Sequence, residues 1–275
     1  MLGISRQAYY KRLRVDHKNI LEEQIVLELV TQVRLKLKEG GTRQIYTKIK
    51  NELALHNIKM GRDKLHKLLK DNDLLMKLKR NNHKTTNSRH RFFKHPDLLK
   101  GLVLTRPEQV FVSDITYIKT AQGYNYLSLV TDAYSKQIMG YHLSEGMPAR
   151  DVLKALKMAV KNRKYPDMPL IHHSDRGVQY CCDLYTDYQK QHNIKISMTQ
   201  SSSPYDNAVA ERINGILKQE FGIAKGFINH LQAVKEIKQS IQIYNTYRPH
   251  QSIEMMTPQM AHINPNFKLK TYKKI

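Results

Sequence analysis

The run Val110-Phe111-Val112-Ser113-Asp114-Ile115-Thr116-Tyr117-Ile118 constrains this chain more than any other stretch. β-Branched and aromatic residues crowd it, which predicts a buried strand. A carboxylate sits in its middle. An ionised Asp among apolar neighbours is costly unless it is paired or bound to a cation. Asp114 is therefore a candidate for chemistry.

The segments after this run predict an orderly succession. Gly123 marks a turn, Tyr126–Val130 a second strand, Ser135 the next turn and Gln137–His142 a third strand. Short connections of this kind make an antiparallel meander. Residues 149–163 predict a helix with Val152, Leu153, Leu156 and Val160 inward. A strand at Pro169–His172, a helix around 177–192, a strand at Ile194–Met198 and a helix after Ser203-Pro204 follow. Three strands, helix, strand, helix, strand, helix is the order of a mixed α/β layer fold.

The chain before residue 107 has a different texture. Leu21, Ile25, Leu29 and Val33 recur at helical spacing over 20–38. Gly40-Gly41-Thr42 predicts a stop with Thr42 as the next N-cap. A second helix carries Ile45, Ile49 and Leu53, and a third, from near Gly61, carries Leu65, Leu68 and Leu69. Two short amphipathic helices joined by His56-Asn57-Ile58 suggest a helix-turn-helix over about 43–72. Its outward face holds Arg62, Lys64, Lys67 and Lys70, the expected DNA-binding residues. The domain boundaries that follow are a helical DNA-binding region at 1–82, a basic linker at 83–106, a core at 107–265 and a basic tail at 266–275.

Charge names the class of partner. The 275 residues carry a formal net charge of +22. The first hundred hold 24 Lys and Arg against 10 Asp and Glu, more than half of that excess. Such a balance favours a polyanion, because Lys and Arg release counterions from phosphates. No apolar run reaches the roughly 18 residues of a membrane span. The opening MLGISRQAYYKRL lacks the apolar stretch of a secretory signal. The expectation is a cytoplasmic protein with no membrane partner. Cys181 and Cys182 are the only cysteines. Adjacent thiols rarely bridge each other. With none near His17, His56 or His66, an N-terminal zinc finger is excluded.

Two further carboxylates join Asp114. Asp175, in His172-His173-Ser174-Asp175-Arg176-Gly177, lies just past a predicted strand end, where α/β folds place their chemistry. Glu211 lies on the helix after Pro204. Three such acids suit hard divalent cations, which take oxygen ligands. Two ions roughly 4 Å apart can hold the attacking and leaving oxygens of an in-line phosphoryl displacement. Asn207, Glu211 and Lys218 recur on one helical face, which makes Asn207 and Lys218 candidates for facing DNA. Asp132 is a fourth strand carboxylate, to which a structural role is assigned. Glu220, further along the helix, is treated as a bystander.

These residues carry a resemblance. Val112-Ser113-Asp114-Ile115-Thr116-Tyr117-Ile118, His173-Ser174-Asp175-Arg176-Gly177, Tyr205-Asp206-Asn207-Ala208 leading to Glu211, and Lys218-Gln219-Glu220 resemble the DDE transposases of bacterial insertion sequences. The nearest group is the second-frame (OrfB) protein of the IS-three family, related to retroviral integrases. Tyr244-Asn245, Tyr247-Arg248-Pro249-His250-Gln251-Ser252 and Met256-Thr257-Pro258 resemble that group's C-terminal signature, and Leu2-Gly3-Ile4-Ser5-Arg6-Gln7-Ala8-Tyr9-Tyr10 its opening. The resemblance implies an RNase H-like mixed five-stranded sheet flanked by helices, preceded by an all-α helix-turn-helix-like segment. It implies Asp114, Asp175 and Glu211 as catalytic ligands of two Mg²⁺ ions, with Mn²⁺ as a substitute. The implied partners are double-stranded DNA (element terminal repeats and target DNA), further copies of the chain on that DNA, and an upstream OrfA-type protein. The implied place is the bacterial cytoplasm, at the nucleoid. The sequence departs from the pattern at Phe111, where the family often has Trp, and at Lys136, where Arg is common. The alternatives are a nuclease that cuts without joining, a DNA-binding regulator, and a catalytic half that needs fusion to its upstream partner.

Overall fold

The computed structural model describes residues 5–76, 91–200 and 207–269. The chain forms two compact units, Met1–Leu78 and Lys79–Ile275.

The first unit is three helices. α1 (Arg6–Arg34) starts at Ser5, whose hydroxyl accepts the Ala8 N–H at 3.2 Å. It is far longer than the predicted 20–38 segment, and its buried face is rotated: of the predicted stripe Val33 is buried and Ile25 and Leu29 are half-buried. Val26, Val30 and Val33 are buried, whereas Leu21 is 48% exposed. Both stripes have helical spacing, so periodicity alone leaves the rotation of the helix open. α2 (Thr42–Leu55) buries Ile45, Ile49 and Leu53 as expected. Its cap is Gly41 rather than Thr42, and the Gln44 side chain accepts the Gly41 N–H at 2.6 Å. α3 (Arg62–Asp71) buries Leu65, Leu68 and Leu69.

The second unit is built on five strands: β1 (Val110–Thr120), β2 (Gly123–Asp132), β3 (Ile138–Ser144), β4 (Leu170–Ser174) and β5 (Ile194–Met198). Their order across the sheet is β3-β2-β1-β4-β5. β1, β2 and β3 pair antiparallel, while β4 pairs parallel to both β1 and β5. Alternation along β1 sends Phe111 into one core, with Leu156 of α4 (Ala149–Lys161), Tyr185 and Met198. Val110 and Val112 point to the other face, against Ala210. Asp114 shares their parity. α4 lies close on β3: a Cβ added at Gly140 would stand 2.1 Å from the Ala155 carbonyl oxygen. The single helix predicted at 177–192 is two, α5 (Val178–Cys181) and α6 (Asp183–Gln191). Cys182 between them is extended, with φ −72° and ψ 153°. Both cysteines are free thiols. α7 (Ala208–Glu220), α8 (His230–Thr246) and α9 (Pro258–Ile263) complete the unit. α7 packs on β1 and β2.

Several boundaries move. Residues 83–90 of the predicted linker lie outside the described residues. From 91 onward the segment packs on the sheet. Phe92 lies against the Phe111 cluster, and Leu99, Leu102 and Leu104 against Val110 and Val112. The Leu98 N–H donates to Ser197 Oγ at 2.9 Å. Apolar residues among the basic ones outweigh the linker-like composition. Phe267 of the predicted tail is likewise buried, beside Tyr134, Ile253 and Ala261. Residues 270–275 lie outside the described residues.

Asp132 has the structural role assigned to it. It is fully buried. Its carboxylate accepts the Glu108 N–H at 3.0 Å and the Ser135 N–H and hydroxyl at 3.0 and 2.5 Å. His262 Nδ1 lies 3.4 Å away, and His262 Nε2 is 3.1 Å from the buried Glu108.

Candidate active site

Strand register brings the first two acids together. β1 and β4 run parallel with Val110 beside Ile171, Phe111 beside His172 and Val112 beside His173. Continuing that pairing two residues puts Asp175 level with Asp114. Asp175 follows the last residue of β4. Its Oδ1 accepts the Gly177 N–H at 2.9 Å, which fixes the carboxylate on a tight turn. Glu211 is in the first turn of α7. It is exposed, and Asp114 is half-buried.

Asp114 and Glu211 are both shifted upward. Burial first, then the charge of Asp175 and finally that of Glu211, push the Asp114 pKa up to about 7, against the pull of a hydrogen bond from Asn214. Burial and Asp175 also raise Glu211. The Asp175 charge thus reaches both Asp114 and Glu211. Among the described residues no three His, Cys, Asp or Glu side chains gather closely enough to hold one ion. The arrangement is a shared field rather than a closed cage.

α7 contributes more than Glu211. Asn214 Nδ2 donates to Asp114 Oδ2 at 2.6 Å, although 100 residues separate them. Sequence reasoning missed Asn214. Its signal was its place one turn after Glu211 and one turn before Lys218, as a polar residue within Ile213-Asn214-Gly215-Ile216-Leu217. Lys218 is half-buried. Burial lowers its pKa and Asp114 raises it, so this ammonium answers to the same carboxylate.

Asn207 departs from expectation. It is 7% exposed, and its Nδ2 donates to the Ser113 carbonyl at 2.9 Å. It is turned inward against β1 rather than outward. Asn207 is the N-cap position, with φ −127° and ψ 29°, so the helical face drawn through Glu211 and Lys218 does not extend to it. Instead it latches the start of α7 to β1 beside Asp114.

The comparisons with known proteins bear on this geometry. Two integrase core domain families match, one over residues 105–204 and the other over 192–258. The 31 kDa protein of insertion element IS600 from Shigella sonnei is 37% identical over 94% of either chain. The transposase of IS629, also from Shigella sonnei, is 30% identical over 77% of this chain and 69% of its own. The transposase of IS904 from Lactococcus lactis is 28% identical over 88% and 96% respectively. The chain is a DDE transposase of insertion sequences, of the IS-three type. The fold agrees. A simian T-cell lymphotropic virus intasome chain superposes with a TM-score of 0.52 over 82% of the transposase and 74% of its own length, at 16% identity. The transposase has an α/β, RNase H-like core and is a polynucleotidyl transferase.

The departures from the family pattern are absorbed locally. Phe111 of the transposase is fully buried, so it fills the aromatic place. Lys136 has φ +66°, and its ammonium donates to the Ala133 carbonyl, which closes the turn after β2. On the sheet face opposite Asp114, Ser113 Oγ and the Tyr185 hydroxyl lie 2.7 and 3.1 Å from His172 Nε2. Burial, then His173, push the His172 pKa down to about 3, so the ring is neutral beside these two hydroxyls. In the first unit Arg62, Lys64, Lys67 and Lys70 are all exposed on α3, and Arg62 pairs with Asp63 at 3.0 Å. Among the described residues no helix is long and apolar enough to cross a membrane.

Proposed function

We propose that this transposase cuts and joins DNA at the ends of its element, with Asp114, Asp175 and Glu211 as the catalytic carboxylates. The observation that carries the reading is the strand register that sets Asp175, after β4, level with Asp114 on β1, with α7, which bears Glu211, fastened to Asp114 through Asn214. Their donors are hard oxygens, and the strain that raises Asp114 to about 7 is what a divalent cation would relieve. As placed, the three acids do not close around one ion, so the two Mg²⁺ ions of this reading, with Mn²⁺ as a substitute, would need further oxygen ligands such as the phosphates of bound DNA. When bound, such ions supply positive charge to the attacking and leaving oxygens of an in-line displacement.

The chain's own residues prepare that step. Asn214 holds one oxygen of Asp114 and so orients the other. Asn207 fixes the approach of α7 to β1. Lys218 balances negative charge beside Asp114 and would meet a DNA phosphate further along α7. In the first reaction a water oxygen bonds to phosphorus at the element end. The bond from phosphorus to the 3′-oxygen breaks, and that oxygen takes up a proton. In the second, the freed 3′-hydroxyl displaces another 3′-oxygen from a target phosphodiester. Both are phosphoryl transfers of one geometry, so one site serves both.

The region 1–82 is read as gripping DNA through the exposed α3 lysines, ahead of a core that takes terminal repeats and target. Two ends must be held together, so further copies of the chain join on the DNA, with an OrfA-type protein as the upstream partner. The substrate places the protein in the cytoplasm, at the nucleoid.

The test is a joining assay with labelled DNA carrying the element's ends, in Mg²⁺ and then Mn²⁺. Joined products from the transposase, alone or fused to its upstream partner, are the expected result. Cut but unjoined DNA in both forms would instead mark a nuclease, and no cleavage in either form a regulator. A second expectation concerns α3. Lys64→Glu with Lys67→Glu weakens DNA binding and flattens its salt dependence by a slope of about 2, one unit per lost phosphate contact. Unchanged affinity at low salt would remove the helix-turn-helix assignment.

A further inference from the structure

The C-terminal signature takes no part in the chemistry above, and its key side chains are turned inward. Tyr244 is fully buried and Arg248 is 3% exposed. The Tyr244 hydroxyl donates to the Lys136 carbonyl at 2.9 Å. Asn245 acts like a strand neighbour to the first residue of β3. Its Oδ1 accepts the Ile138 N–H at 3.0 Å, and its Nδ2 donates to the Ile138 carbonyl at 2.9 Å. The pairing between β2 and β3 shifts register at this point. The end of α8 is thereby fastened to the sheet.

Arg248 extends the fastening to α7. Its Nε and Nη2 donate to the two oxygens of Glu220, each at 2.6 Å. The guanidinium lies 5.8 Å from the Tyr244 ring centre. Glu220 is the last residue of α7 and only 6% exposed, so it is not a bystander. α7 is thus held at its start by Asn207 on Ser113, in its middle by Asn214 on Asp114, and at its end by Arg248.

A buried ion pair is poor evidence of stabilisation. Exchanging one for apolar side chains of similar volume is often neutral or stabilising. A bidentate Arg–carboxylate pair gives fixed geometry. We infer that Arg248 and Glu220 are positioning residues that set the rotation and height of α7 against β1, and through it the place of the Glu211 carboxylate. The role rests on reading Glu211 as catalytic. A rigid helix transmits the setting: Glu211 is nine residues from Glu220, about 14 Å at the usual rise. A misplacement of 1 Å at reacting groups costs about 100-fold in rate.

The experiment compares the full chain with Glu220→Met/Arg248→Met and with Arg248→Lys, which keeps the charge but loses the fork. Melting temperature, hydrogen exchange of the α7 amides before Gly215, and single-turnover cleavage are measured on each. The double variant is expected to melt close to the parent. Its α7 amides exchange at least about 10-fold faster. Its maximal rate falls about 100-fold with KM for DNA unchanged. Arg248→Lys, which serves if the double variant does not fold, shows the same pattern in smaller measure. Variants with parental exchange and parental rate overturn the inference while leaving the triad intact. If the parent shows no turnover, exchange decides alone: faster exchange supports the positioning role and parental exchange overturns it. The triad reading is then judged separately, by the joining assay.

Discussion

Asp114→Asn is expected to slow cleavage and joining about a thousandfold while raising the melting temperature of the metal-free protein at pH 8. On the proposed reading of Asp114 as a metal ligand, losing its charge is expected to cost about 4 kcal/mol of transition-state stabilisation, or about a thousandfold in rate. The gain in stability has the opposite origin. Burial, Asp175 and Glu211 raise Asp114 to about 7, above its ordinary 3.8. A raised carboxylate contributes stability that is complete below its unfolded pKa and is lost as pH rises through its folded pKa. Asn does not ionise, and its amide oxygen still accepts from Asn214. The variant's advantage should therefore be absent near pH 4, grow through pH 7 and level off above. Melting curves from pH 5 to 8 and a single-turnover assay check both halves. A melting difference that stays flat with pH would mean that Asp114 is not under repulsion, and retained activity would take it out of the triad.

The largest loss of stability is expected at His262. Its ring bridges two fully buried acids, at 3.1 Å from Glu108 and 3.4 Å from Asp132. Burial alone would lower its pKa, but the hydrogen bonds to Asp132 and Glu108 outweigh it and raise the pKa to about 9. Burial likewise opposes the ionisation of Glu108, yet His262 and the N–H groups of Lys164 and Tyr165 hold its pKa below the ordinary value. His262→Ala leaves both carboxylates without this cation and costs about 3–5 kcal/mol. For a unit of this size that lowers the melting temperature by roughly 10 °C. The raised histidine contributes stability that is complete below its unfolded value of 6.5 and is lost as pH rises through about 9. The lowered Glu108 contributes stability above its unfolded value of 4.5 that is lost as pH falls through its folded value. The gap between parent and variant in urea titrations should therefore narrow between pH 6.5 and 9. A gap of constant size would show that shape, not charge, holds this corner together.

What was legible in the sequence was local. Alternation and apolar runs depend on neighbours within a few residues, so β5 was read at its true limits, Ile194–Met198, and the faces of α2 and α3 at their true residues. The three acids could be proposed from the sequence because each stands in a short motif, and the structural role of Asp132 because it stands in strand context. Other features depended on contacts made at a distance. Two stripes of α1 were equally periodic, and packing chose Val26, Val30 and Val33. Asn207 and Asn214 look like ordinary helix polar residues until β1, about a hundred positions earlier, lies beside them. Glu220 differs in no local respect from an exposed helix acid until Arg248, 28 residues later, folds back on it. Propensity and periodicity are properties of a segment and can be read from it. The burial of a polar group, its partner and its charge state are properties of two segments, and only the tertiary structure decided them.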